Sequence, residues 1–315
     1  MRYNNVGIKG IGAYLPPNIR TAQDIEQNAP TSEEWMYDKL GIKTRRNALN
    51  QTPSDLGVKA ALKAIKNAGL SKHDIDMIIV ATSSGEKISP STACIIHNKL
   101  NLNKSVPSFD VNAVCAGFVY ALSIACPLIT TKTYKNILVI GTETYSKITD
   151  WDHRNCVFFG DGAGAVIIGE SNKGWMSVEL NANGQGTGMT GFSLDPGKTY
   201  ITNPKEVWNQ AVTVLPPSIK EILFNNNLSP KDIDHFIPHQ ASINMLKLIA
   251  KKVGFEEKKL RTVMDKYANI AGASIPIVLD DINKQNLIKP QQKLLLTAIG
   301  SGWAWGSIII NYENE

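Results

Sequence analysis

The chain has 315 residues, with 33 basic against 28 acidic side chains and a formal charge of +5. Its apolar, glycine and proline contents are those of a globular protein, which excludes disordered and fibrous classes. The mild basic excess, without a long Lys/Arg run, suits an anionic small substrate or an acidic protein and points away from nucleic acid.

No apolar stretch reaches the roughly 18 residues of a membrane span, and the polar start Met1 to Asn5 has no signal-peptide pattern. A soluble, cytoplasmic protein with no membrane partner is expected. Four cysteines without a CxxC pair give neither a disulfide framework nor a zinc pattern, so no metal is expected.

Thr31 followed by Glu34 reads as a capping box before a helix over 35–40, with Gly41 as its stop. Thr52, Pro53 and Gly69 bound a second helix as cap, first residue and terminator. Ile78-Ile79-Val80, Ile137 to Ile140, Val166-Ile167-Ile168, Leu294-Leu295-Leu296 and Ile308-Ile309-Ile310 read as buried strands. Such alternation predicts an α/β fold with strands covered on both faces. Cys94, Cys126 and Cys156 sit in apolar segments and read as inert. Pro127 is expected to end or kink its helix.

Cys115 stands between a β-like run ending near Asn112 and an apolar helix containing Phe118, Val119 and Leu122. A helix N-terminus favours thiolate by about 0.3 to 2 kcal/mol, roughly one pKa unit downward. The residue reads either as a nucleophile or as a small hydrophobe at a helix start. Gly160-Asp161-Gly162-Ala163-Gly164 precedes a strand, not a helix, so it reads as a structural turn and not a phosphate loop.

His239, in Pro238-His239-Gln240-Ala241, follows an apolar strand at the end where open α/β sheets place ligands. It reads as a catalytic imidazole or as a His bonded in a turn. Asn269 precedes Ala271-Gly272-Ala273, small residues that allow close approach, or stands in an ordinary turn. Gly300 to Gly306 either aims backbone N–H groups at a substrate oxygen or forms a plain turn.

Leu70 to Ile79 matches Leu228 to Ile237, and Gly164 to Ile168 matches Gly306 to Ile310 more faintly. Two matches in one order imply a duplicated domain, with halves 1–172 and 173–315 joined at Ser171-Asn172-Lys173-Gly174. His239 then falls opposite Ala81, an imidazole where the first copy has nothing polar. A site between the halves is expected.

Together, Thr31 to Trp35, Gly41-Ile42 with Arg45, Asp110 to Gly117, Phe159 to Gly164, Pro238 to Ala241, Asn269 with Ala273 to Pro276, and Trp305-Gly306-Ser307 resemble the 3-oxoacyl-acyl-carrier-protein synthase III family of the thiolase superfamily. The resemblance implies a thiolase-like five-layered αβαβα fold, a homodimer, and a tunnel for coenzyme A thioesters. It implies an acyl-Cys115 intermediate formed from acyl-CoA, with the N–H groups of Cys115 and Ser301 as oxyanion hole. A malonyl thioester, on acyl carrier protein, would then lose carbon dioxide with His239 and Asn269 stabilising the enolate. No metal or redox cofactor is implied.

The departures bear on the exact reaction. Lys39 stands where the family often has Arg, and His153, with Arg154 next to it, where an Arg usually precedes the Gly-Asp-Gly segment. With Trp35 these are the expected coenzyme A contacts. Asn244 replaces an Arg used for carrier docking, although Lys251 and Lys252 remain. Ser89 replaces a bulkier side chain of the partner's acyl tunnel, which predicts a longer or branched primer. The segment 184–203 reads as short. An alternative is transfer of the acyl group to an acceptor other than carrier protein. A catalytically silent paralogue is the third reading, opposed by the intact Cys115, His239 and Asn269.

Overall fold

In a computed structural model of the chain, residues 1–102, 105–187, 190–191 and 201–313 are described. The main sheet uses β1 (Arg2–Tyr14), β2 (Met77–Ala81), β3 (Ser108–Val111), β4 (Asn136–Thr144), β5 (Asp161–Ala182), β6 (His235–Pro238), β7 (Lys293–Gly300) and β8 (Ala304–Asn311). All five expected strands fall within these. The order is β6-β7-β8-β5-β4-β2-β3, with β1 also on β5.

The residues of each strand alternate between two cores, as a period of two requires. Ile78, Val80, Leu138, Ile140 and Ile167 face a core built with α1 (Pro53–Asn67) and α2 (Thr92–Leu100). Their neighbours Ile79, Ile137, Val139, Val166 and Ile168 face a second core. That second core also takes Leu294, Leu296, Ile308 and Ile310, and is filled by α3 (Gly117–Thr130) and, at the opposite end of the sequence, the helix Ser274–Lys284. Leu295 and Ile309 turn to a third core, under the helices Pro204–Asn225 (α4) and Ile243–Val253 (α5). With Ser274–Lys284 as α6, the layers run α–β–α–β–α, the thiolase-like arrangement the resemblance implies. Burial on both faces explains why the strands read as apolar runs.

The repeat has a local physical basis. Ser71 N donates to Asp74 Oδ2 at 2.8 Å and Ser229 N to Asp232 Oδ2 at 2.7 Å, in matching one-turn helices. Asp76 then accepts the N–H of Asn136 at 3.0 Å, and Asp234 that of Lys293 at 2.8 Å. Each pair clamps the start of a parallel two-strand unit, β2 with β4 and β6 with β7. Residues 171–174 lie inside β5, where its register on β1 shifts from Glu170↔Val6 to Trp175↔Asn4.

Two local expectations are corrected. Ser32, not Thr31, caps the helix at Glu33–Trp35, accepting Trp35 N at 3.1 Å, and Gly41 stops the following turn at φ 81°. Pro127 lies in the last turn of α3, which ends three residues later at Thr130, so the helix does stop close to the proline as expected. The Gly-Asp-Gly segment is not a turn. Asp161 begins β5, and a β-carbon at Gly164 would come 2.7 Å from Pro276 Cβ, so the glycine lets α6 pack on the strand. Of the segment 184–203, residues 188–189 and 192–200 lie outside the described residues.

Asp161 is fully buried and accepts Ala48 N at 2.7 Å, Ser146 N at 2.8 Å and Ser146 Oγ at 2.5 Å. Asn would aim an amide N–H at one of these donors. Asp161→Asn is expected to cost about 2 to 3 kcal/mol, read as a lower urea midpoint at unchanged slope.

Candidate active site

Cys115 follows β3 in a short turn, Val114–Ala116, that runs into α3. Val114 holds φ 49°, a left-handed conformation costly for a β-branched residue. Its N–H donates to Asn112 Oδ1 at 3.2 Å. A β-carbon at Gly300 would stand 3.1 Å from Cys115 N and 2.3 Å from Ala113 O, so only glycine lets β7 end against this turn.

His239 lies just past β6, its N–H donating to Thr297 O at 2.8 Å. Gln240 pins that loop, donating to Pro238 O at 2.7 Å and accepting Val263 N at 3.0 Å. Asn269 follows Ala268, which holds φ 60° and ψ −156°. Its N–H donates to Phe158 O and its carbonyl accepts Gly160 N, both at 3.0 Å. The Asn269 Oδ1 accepts Ala271 N at 2.8 Å, which leaves Nδ2 as the donor end of the amide. Strained backbone thus flanks both Cys115 and Asn269.

The structure brings Cys115, His239, Asn269 and Ser301 to the wall of one inner cavity of about 80 Å3. An outer cavity of about 400 Å3 shares Phe159, Val207, Ala241, Met245 and Asn269 with it. Trp35 and Lys39 line the outer cavity. The Arg154 guanidinium lies over the Trp35 ring, 4.9 Å from its centroid. His153 turns instead to its own loop, where its Nδ1 accepts Asn155 N at 3.1 Å. Ser89 is exposed and lines neither cavity of this chain. Asn244 lines the outer cavity and donates to Asp38 O at 2.9 Å, so its amide ties the rim together.

The electrostatics correct one expectation. Burial, then the carboxyl of Glu143, pushes the Cys115 thiol up to about 12, not down. The helix end contributes roughly one unit and is outweighed by desolvation. Burial also pushes the His239 imidazole down to about 4, with the Ala271 backbone partly offsetting. Both groups are therefore neutral at rest. His239 Nδ1 is buried and without a hydrogen-bond partner among the described residues.

Sequence reasoning missed Glu143, fully buried at the end of β4. The signal was a carboxylate closing an apolar strand. It also missed Tyr145, and took Phe159 only as part of a motif; the two line the inner cavity with ring centroids 4.9 Å apart. Cys94 is exposed, not sequestered, because it faces outward from the first turn of α2, whereas Cys126 and Cys156 are buried. Among the described residues, no helix is long and apolar enough to cross a membrane.

Family profiles for 3-oxoacyl-(acyl-carrier-protein) synthase III match residues 109–184, and for its C-terminal domain residues 223–312. Beta-ketoacyl-(acyl-carrier-protein) synthase III of Clostridium acetobutylicum is 40% identical over 323 residues, covering 98% of this chain and 99% of the relative. The Oceanobacillus iheyensis protein of that name is 40% identical over 312 residues, covering 98% and 99%. The crystal structure of 3-oxoacyl-(acyl-carrier-protein) synthase III from Aquifex aeolicus superposes with a TM-score of 0.94 at 36% identity, covering 98% of this chain and all of that one. The priming beta-ketosynthase of the R1128 polyketide pathway superposes with a TM-score of 0.94 at 26% identity, covering 99% and 98%. With the fold, the shared cavity and these full-length likenesses in agreement, the chain belongs to the 3-oxoacyl-(acyl-carrier-protein) synthase III family.

Proposed function

We propose that the protein condenses an acyl-CoA primer with a malonyl thioester, carried on acyl carrier protein, through an acyl group held on Cys115. The observation that carries this reading is the inner cavity, where the thiol, imidazole, carboxamide and Ser301 turn meet at the foot of an apolar outer cavity.

The acyl-CoA tail enters the outer cavity, with its adenine on the Trp35 and Arg154 surface and Lys39 beside the phosphates. His153 is the weaker contact, since its ring is engaged locally. Because the Cys115 thiol is neutral at rest, His239 takes its proton as sulfur attacks the thioester carbonyl. The N–H groups of Cys115 and Ser301 hold the oxyanion. The CoA thiolate leaves and takes up that proton, returning His239 to neutrality.

A malonyl thioester then occupies the outer cavity. Neutral His239 and the Asn269 Nδ2 donate to its carbonyl oxygen as the carboxylate departs as carbon dioxide. The enolate carbon attacks the acyl-Cys115 carbonyl, forms the new carbon–carbon bond and expels the Cys115 thiolate, which regains a proton. Loss of carbon dioxide drives the step, so no metal or redox cofactor enters the route.

We read the chain as duplicated halves, 1–172 and 173–315, the first supplying Cys115 and the second His239 and Asn269. We also read it as a cytoplasmic homodimer. The edge strand β3 is partly exposed along its length, and the loop ending at Ser89 exposes 96% of Ile88. Ser89 would then shape the partner's acyl tunnel. Sedimentation equilibrium tests this, and a monomer at micromolar concentration would refute it.

Intact-mass spectrometry with a panel of acyl-CoAs should reveal an acyl adduct, released on adding malonyl-acyl carrier protein together with carbon dioxide. The alternative, transfer to a different acceptor, is favoured by Asn244, whose amide is engaged at the rim where the family often has an Arg. An acyl adduct that malonyl-acyl carrier protein leaves untouched would select it. Trp35→Ala is expected to raise KM for acyl-CoA roughly tenfold with little change in kcat, through loss of the stacking surface. An unchanged KM would remove Trp35 from the binding site.

A further inference from the structure

The catalytic route leaves a buried carboxyl near the nucleophile unused. Glu143 ends β4 with no exposure to solvent. Its Oε1 accepts Ser83 N at 3.2 Å and Ser83 Oγ at 3.1 Å. Its Oε2 accepts Ser84 Oγ at 2.5 Å and lies 3.4 Å from Thr82 Oγ1. A β-carbon at Gly272 would stand 3.4 Å from Glu143 Oε1, 3.4 Å from Val114 O and 3.6 Å from Ala81 O. Glu143 thus sits where the loop after β2, the turn carrying Cys115 and the turn carrying Asn269 converge.

These donors fill the roughly four acceptor sites of one carboxylate, which is what holding it in a buried place requires. The surrounding elements contribute few ionisable groups. The Cys115 turn contributes its thiol. The strand of Glu143 itself leads into Tyr145, whose hydroxyl is 2.6 Å from Ser83 Oγ and whose ring lines the inner cavity. Asp110 is turned away, accepting Thr92 N at 2.7 Å and Ala93 N at 2.8 Å. Residues 269–273 and 82–84 carry no ionisable side chain.

We propose that Glu143 is a positioning residue for the condensation: its carboxyl, gripped by Ser83 and Ser84 and set against Gly272, braces the place where the Cys115 and Asn269 turns meet and puts a carboxyl near the thiol. The role in catalysis rests on the assignment of Cys115 and Asn269 above; the brace itself rests on the contacts. Burial pushes Glu143 up to about 7, with the hydrogen bonds from Ser84 and Ser83 pulling the other way and offsetting part of that rise.

The test compares wild type, Glu143→Gln, Glu143→Asp and Ser84→Ala, all in a Cys94→Ser background because Cys94 is exposed. Iodoacetamide labelling of Cys115 is followed against pH by peptide mass spectrometry. Acyl loading and carbon dioxide release are measured separately, with thermal melts as a fold control. Removing the charge should ease thiolate formation, so Glu143→Gln should label roughly tenfold faster at a given pH. It should lose at least about tenfold in carbon dioxide release while loading falls less. Glu143→Asp should restore slow labelling but not release. Should Glu143→Gln fail to fold, Ser84→Ala, which weakens the grip and favours the neutral carboxyl, should move both readouts the same way by less. Folded variants with the wild-type labelling curve, or with loading and release reduced equally, would overturn the proposal. Failure of wild-type Cys115 to accept any acyl group would instead sink the nucleophile assignment and leave the labelling comparison intact.

Discussion

Cys115→Ala is expected to take up no acyl group from any acyl-CoA and to lose condensation by about 10^4-fold or more, the scale seen when a covalent nucleophile is removed. Carbon dioxide release from malonyl thioester should persist at a reduced rate, because His239 and Asn269 keep their places. The backbone that holds them runs through Thr297, Phe158 and Gly160, not through the sulfur. The variant should also fold. Cys115 packs beside Tyr145, Phe159 and Ala271, and a methyl group fills part of its volume. The linkage works against the wild type only at high pH. The folded-state pKa, raised to about 12, lies above the ordinary value near 9, so the thiol's contribution is complete below pH 9 and is lost as pH rises toward 12. Melts of the two proteins should therefore run parallel from pH 5 to 8 and diverge only above 9. Residual acyl adduct in Cys115→Ala would place the nucleophile elsewhere, and loss of all decarboxylation would break the division of roles proposed here.

The strands were legible because burial on both faces writes them as short β-branched runs. Ile78, Ile79 and Val80 serve two different cores, so no polar residue interrupts them. The match of 70–79 with 228–237 was legible because each segment uses the same Ser and Asp to clamp the entry to its strand. Cys115 and His239 could be found singly, each at the end of a β-like run, and Asn269 by the small residues that follow it. Their convergence could not be derived from spacing, since it depends on how segments more than a hundred residues apart pack together. The sign of the thiol shift escaped for a related reason. A helix start is visible in sequence, whereas the desolvation that outweighs it comes from Tyr145, Phe159 and the 269–273 turn. Arg45 is a similar case. It appeared only as part of a motif, yet it is buried and donates to Cys156 O at 3.1 Å and Val157 O at 2.8 Å, holding the segment that leads to Phe159.

His239→Ala should slow carbon dioxide release about 10^2- to 10^3-fold, the range for removing one donor to a developing oxyanion. Acyl loading should fall less, because solvent or hydroxide can take the thiol proton while no other side chain replaces the imidazole at the enolate. The pH dependence separates this role from a packing effect. With its pKa held down at about 4, His239 stays neutral from pH 5 to 8, so any inflection of release near 7 belongs to Glu143 and should persist in the residual release of His239→Ala. The same shift enters stability with a fixed sign. Between about pH 4 and 6.5 the unfolded chain binds a proton at this residue that the folded chain refuses. Stability therefore rises with pH across that window, is complete above 6.5, and is lost as pH falls toward 4. The contribution is on the order of 3 kcal/mol at most. Subtracting the urea-derived stability of His239→Ala from that of wild type at each pH isolates it from Glu143, which slopes the other way because its folded pKa is raised. A difference curve flat from pH 4 to 6.5 would mean an imidazole already charged or solvated in the folded protein. Equal slowing of loading and release would then leave no basis for calling His239 the enolate's donor.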